Sequence, residues 1–129
     1  MSQNGKAVEL EGLRVTIDKL VYRRLPTGTT DRPHSFVYFI SIHNDTDTQV
    51  TIKGRKWVVS HDDGSVQVVE GDGVVGETPS IPPGGKFSYN SQHLLNTRCA
   101  TAEGAYLGQD EQGRGVVVRI PRFRMVVPT

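Results

Sequence analysis

The sequence predicts an all-β sandwich of about seven or more strands, and three observations carry that expectation. Apolar residues alternate with polar ones instead of recurring at helical spacing. Turn-forming glycines and aspartates punctuate the alternating runs at regular intervals. The prolines fall where a helix would have to form, as in Ile81-Pro82-Pro83-Gly84-Gly85.

In chain order, Leu13, Val15 and Ile17 alternate with Arg14, Thr16 and Asp18 as a first strand. Phe36, Tyr38, Ile40 and Ile42 form one face of a second, with Ser41 and His43 on the other. Val50 and Ile52, then Trp57 and Val59, mark a third; the phase shifts between the pairs, at Gly54, which predicts a bulge. Further strands are expected over Ser65–Val69, Lys86–Gln92, Gly104–Gln109 and Gly115–Met125. Asp62-Asp63-Gly64-Ser65 and Asp110-Glu111-Gln112-Gly113 read as short hairpin turns. The proline segment 81–85 is expected to carry the chain from one sheet to the other. Residues 24–35 read as a polar surface loop with mobility. Pro121 lacks a donor and predicts an edge position or a bulge for the last strand. The expected organisation is a flexible segment 1–7, one domain over 8–126 and a tail at 127–129.

The chain has 129 residues and a formal net charge of +1. That length suits one domain with its own core. The near-neutral balance gives no footprint for duplex nucleic acid, so no nucleic-acid partner is expected. No run is apolar enough for a membrane span or a leader peptide, and the single Cys99 fits a reducing compartment. A cytoplasmic protein is expected.

Gly71-x-Gly73-x-x-Gly76 has the spacing of a dinucleotide fingerprint. A strand leads into it, as the fingerprint requires. The helix that should follow has no room, because Glu77-Thr78-Pro79-Ser80-Ile81-Pro82-Pro83 follows Gly76, and no carboxylate stands at the ribose position. No cofactor is expected. The glycines instead suit a tight bulged turn at the sandwich edge, with Val74 and Val75 tucked against the core. The sharper alternative is an anion-binding concavity of backbone N–H groups, with Arg55 or Arg122 supplying charge to a phosphate or carboxylate.

No catalytic set stands out. His34, His43, His61 and His93 lack metal-ligand spacing, and His61-Asp62-Asp63 reads as a solvated hairpin tip. Asp45-x-Asp47 lacks the glycine and glutamate of a calcium loop. Cys99 with His93 shows no activating context, and the serines sit in no nucleophile elbow. Trp57 reads as core. Lys53, Arg55 and Lys56 on one strand and Arg119, Arg122 and Arg124 on the last would form a basic patch if the two strands were neighbours.

Arg55-x-Trp57, Asp63-Gly64, Val69-x-Gly71-x-Gly73-Val74-Val75-Gly76-Glu77-x-Pro79, Ile81-x-Pro83-Gly84, Phe87-x-Tyr89-x-Ser91, Gly104-x-Tyr106 and Ile120-Pro121-x-Phe123 together resemble the ApaG domain family. The resemblance runs from about Val8 to Met125; it departs at Ala100 and Ala102, where many members carry Gly and Met. It implies an immunoglobulin-like, fibronectin type III-like antiparallel β-sandwich and no established enzymatic activity. Bacterial members are associated with a diadenosine-tetraphosphate hydrolase locus and with divalent cation tolerance. Similar domains in an F-box protein and a polymerase-interacting protein look like protein-binding modules. The family's glycine motif has invited nucleotide and pyrophosphate proposals, which carry over to Gly71, Gly73 and Gly76. The favoured expectation is therefore a non-enzymatic module with a protein partner. A phosphate-bearing small molecule at Gly71–Gly76 is the alternative, and a homodimer is kept open.

Overall fold

Alternation in the sequence becomes eight strands in a computed structural model that describes residues 7–26, 28 and 30–129. They are β1 (Leu13–Arg24), β2 (His34–Asn44), β3 (Val50–His61), β4 (Val66–Asp72), β5 (Ser80–Ile81), β6 (Lys86–Leu95), β7 (Cys99–Gln109) and β8 (Gly115–Val126). All strand pairings are antiparallel. One sheet has the order β1-β2-β6. The other has the order β4-β3-β7-β8, with β5 added on β3. The two sheets pack face to face as a fibronectin type III-like β-sandwich. The expectation of a flexible segment at 1–7 falls mostly on residues 1–6, outside the described part.

The inward residues are those the alternation marked. Phe36, Tyr38, Ile40 and Ile42 are buried from β2, and Val50, Ile52, Trp57 and Val59 from β3. The phase change in β3 is a register shift between Ile52 and Gly54 against β7. It returns Arg55 to the face that carries Trp57 and Val59. Pro121 lies on β8, an edge strand, where Pro121 and Arg122 stand opposite the single residue Glu103. The missing donor therefore costs no ladder bond.

Several boundaries differ from expectation: β4 runs on to Asp72, β6 runs on to Leu95 and β7 begins at Cys99. β1 continues to Arg24 because a bulge at Asp18 resets its alternation, so that Leu20 and Tyr22 pack on the core. Arg24, His34 and Ser35 belong to strands, and His34 and Ser35 are buried, so the expected loop 24–35 shrinks to 25–33. Val127 is also buried and donates its N–H to the Arg98 carbonyl, which leaves only Pro128 and Thr129 as a tail.

The passage between sheets is pinned by Asn44 at the end of β2. Its side-chain amide donates to the carbonyls of Thr48 and Ile81, both at 2.8 Å. Its Oδ1 accepts from the Thr46 N–H and hydroxyl. Gly84 and Gly85 bond the Asn44 backbone on the far side of Pro82-Pro83. The proline segment thus passes from β5 in one sheet to β6 in the other, as its composition predicts. β1 packs against β8, so the sandwich is closed along that side, and β4 and β6 form the opposite margin.

Candidate functional site

The glycine segment comes first, because it carries the most visible motif. β4 runs through Gly71 to Asp72, so Gly71 is a strand residue, paired with Arg55. A Cβ on Gly71 would lie 2.9 Å from Arg55 Nη1. Glycine there gives the guanidinium room to lie against the backbone. Arg55 Nη1 donates to the carbonyls of Asp72 at 2.9 Å and Gly73 at 3.1 Å. Gly73 has φ +65° and crosses so close to Glu77 that a Cβ would collide with the Glu77 carbonyl oxygen.

Val75 (φ 45°) and Gly76 (φ 82°) then make a two-residue hairpin turn of the primed kind, which needs positive φ at both positions. Val74 and Glu77 exchange both backbone hydrogen bonds across it, at 2.7 and 2.9 Å, and the Gly73 N–H donates to Lys53 at 2.7 Å. The N–H groups of Gly73, Val74 and Glu77 are therefore committed within the fold. The carbonyls of Asp72 and Gly73 face a cation, which is the reverse of an anion nest. The turn at the sandwich edge is as expected, with one correction. Val74 is fully buried, whereas Val75 is 49% exposed, because a tight turn cannot direct both side chains inward.

Arg122 is placed elsewhere. It lies on β8, at the opposite edge of the five-stranded sheet, with β3 and β7 between it and β4. For the same reason Lys53, Arg55 and Lys56 do not join Arg119, Arg122 and Arg124 in one patch, since β7 separates β3 from β8. Arg124 pairs with Asp62 at 3.2 Å and Arg119 with Glu9 at 3.5 Å, which further divides the expected basic surface.

Arg55 also faces a second feature, which the sequence does not show. A cleft of about 250 Å³ opens between the sheets along the β4–β6 margin. Arg55 and Trp57 enter it from β3, Gln67 and Val69 from β4, Tyr38 from β2, and Ser91 and His93 from β6; Arg32 joins from the 25–33 loop. Arg32 Nη1 is held there by Gln67 Oε1 at 3.0 Å. The His93 ring stacks on Tyr38 at 4.8 Å and meets Trp57 edge-on at 4.7 Å. Ser91 stands opposite Tyr38 on the neighbouring strand. Deeper in the core the Tyr89 and Tyr106 hydroxyls bond each other, and burial holds both well above the usual phenol range.

Two residues that line this cleft each bury a polar atom with no hydrogen-bond partner among the described residues. Trp57, 1% exposed, buries its indole Nε1–H, and His93, 8% exposed, buries Nε2. An unsatisfied buried polar group costs roughly 1–3 kcal/mol. Burial alone lowers the His93 pKa to about 4, so the ring is neutral at physiological pH.

The remaining candidates are quickly placed. Among the described residues no group of three His, Cys, Asp or Glu side chains could hold a metal. His61 bonds Thr97 rather than Asp62 or Asp63. Cys99 is half-buried beside Arg124, on the opposite sheet from His93. Among the described residues no helix is long and apolar enough to cross a membrane.

The sandwich and its glycine hairpin define the class of fold, a fibronectin type III-like β-sandwich. The comparisons with known proteins specify it further. The family model for the ApaG domain matches residues 27–110. Protein ApaG of Cronobacter sakazakii is 37% identical over 84% of this chain and 87% of its own length. Protein ApaG of Deinococcus radiodurans is 37% identical over 86% of each chain. The chain belongs to the ApaG domain family. Among solved structures, an X-ray structure of a structural genomics target is 31% identical with a TM-score of 0.84, covering 92% of this chain and 89% of that one. A Bordetella pertussis protein assigned as ApaA is 28% identical with a TM-score of 0.75, covering 94% and 98%.

Proposed function

We propose that this chain is a non-enzymatic protein-binding module that takes an extended partner segment along β4. The observation behind this reading is the character of that strand. β4 is an edge that pairs only with β3 among the described residues, and its outward side chains include Val66 at 60% and Val68 at 53% exposure. An exposed edge with apolar side chains offers both backbone hydrogen bonds and pockets to an added strand. Glu70 and Asp72 at its far end limit promiscuous pairing by charge. On this reading the protein works in the cytoplasm, where a free Cys99 is at home.

Affinity capture with the full chain and with the Val66→Lys/Val68→Lys variant tests the proposal. Both sites are exposed, so stability should change by no more than about 0.5 kcal/mol each. A protein recovered reproducibly by the native chain and lost with the variant supports strand addition at β4. If the recovered protein is a second copy of this chain, the module is a homodimer. Equal recovery by both forms, or no recovery by the native chain, removes the reading.

A further inference from the structure

We propose that the cleft between the sheets at the β4–β6 margin is a binding site for a small oxyanion, a phosphate or a carboxylate group, held by Arg55, Arg32 and the indole N–H of Trp57. This reading goes beyond strand addition and does not depend on it.

The chemistry of the lining selects the ligand. Two guanidinium groups, Arg32 and Arg55, line the cleft, and among the described residues no carboxylate does. A guanidinium offers only donors, in a fork that matches planar or tetrahedral oxyanions. The Trp57 indole is likewise a donor only, and it is buried without a partner among the described residues. His93, another lining residue, also buries its Nε2 without a partner among the described residues. Ser91 adds a hydroxyl. A ligand that completes these groups must supply several acceptors and negative charge within a small volume.

Size sets the other limit. At about 250 Å³ the cleft falls below the range of roughly 300–1,000 Å³ usual for drug-sized ligands. It holds a single phosphate or carboxylate group with a short substituent, and any larger ligand would extend out of it. The position of Arg55 is fixed before any ligand arrives: Nη1 is tied to the Asp72 and Gly73 carbonyls, and Gly71 leaves space for it. Arg32 is likewise tied to Gln67. Preorganised cations lose little freedom on binding. The glycine motif, on this view, serves an oxyanion indirectly, by positioning Arg55 rather than by offering its own amides.

The test is an NMR titration of the isotopically labelled full chain with inorganic phosphate and, separately, with acetate, at matched ionic strength. The Trp57 indole N–H and the His93 ring resonances are followed. Saturable movement of both is expected with at least one anion. Saturation by phosphate but not acetate assigns a phosphate group, and the reverse assigns a carboxylate. Arg55→Gln should weaken binding about tenfold or more, as loss of a charge-assisted hydrogen bond implies. Arg32→Gln should weaken it less, and Arg119→Gln on the far strand should leave it unchanged. Because Arg55→Gln also loosens the glycine hairpin, Trp57→Phe, which removes the donor and shrinks the ring while keeping an aromatic residue in the core, serves as the second variant; it should lower affinity while the His93 resonance still reports. Ligand should also raise the His93 pKa. Static Trp57 and His93 resonances with both anions overturn the proposal, as does affinity unchanged in both Arg55→Gln and Trp57→Phe. Neither result bears on partner capture by β4.

Discussion

The glycine hairpin and the inter-sheet cleft lie on either side of Arg55, yet they treat their polar groups in opposite ways. In the hairpin, the N–H groups of Gly73, Val74 and Glu77 bond other parts of the backbone, and the Asp72 and Gly73 carbonyls are taken by Arg55. Along the cleft, Trp57 and His93 bury Nε1 and Nε2, which have no hydrogen-bond partner among the described residues. At these groups the motif that is conspicuous in the sequence has settled its hydrogen bonds internally. A site assembled from four strands and a loop has not. Where polar groups are satisfied, a conspicuous pattern reports on folding; where they are withheld, the structure and not the sequence motivates the proposed ligand site.

The largest effect expected of the hairpin is from Gly73→Ala. It combines a positive φ with a collision at the Glu77 carbonyl, and should cost roughly 3–4 kcal/mol in urea unfolding. A loss below about 1 kcal/mol would show that the hairpin is not rigid and would weaken the contrast drawn here.

The cleft should respond to pH instead. His93 has its pKa lowered to about 4 by burial, against an ordinary value of 6.5. The unfolded chain therefore binds the proton more readily. The contribution is whole above pH 6.5 and is lost progressively as pH falls towards 4, by about 3 kcal/mol in total. Comparing urea midpoints at pH 7 and 4.5 in the native chain and in His93→Gln isolates this group from His34, whose pKa is also lowered. An acid response that is the same in both would place the His93 ring in water rather than in a closed cleft.

Gly71→Ala probes the residue where the two regions meet. The new Cβ would press on the Arg55 guanidinium, whose flexible end can shift, so a loss of only about 1–2 kcal/mol is expected. The more telling readout is displacement of Arg55, seen as altered Trp57 and His93 resonances. Gly76→Ala meets no neighbouring atom and should cost only the strain of its backbone, about 1 kcal/mol. Arg122→Ala, exposed on the opposite edge, should change stability by under about 0.5 kcal/mol.

Much of the sandwich was legible because strand alternation reports directly on burial. Phe36, Tyr38, Ile40 and Ile42 face inward as read, the bulge falls beside Gly54, and Pro121 sits on an edge. Legibility failed where the alternation was interrupted or faint. The bulge at Asp18 hid the second half of β1. The first half of β7 buries only the small Ala100 and Ala102, whose contrast with Thr101 is slight. Of the site, Arg55 was legible as a cation near the glycines. Arg32, Gln67, Ser91 and His93 were not, because their proximity depends on the pairing of sheets and not on spacing along the chain. One signal was available in principle: Trp57 and His93 both fall on apolar faces, where each needs a partner for its ring nitrogen.

Val8 lies parallel to β8, accepting from the Val117 N–H and donating to the Gly115 carbonyl, both at 3.0 Å. Together with Pro121 it guards most of that strand's free side. Shortening the chain past Val8 would uncover Val116–Val118 as a sticky template. The trimmed protein should then self-associate with rising concentration, visible by light scattering, even though its folding core is untouched.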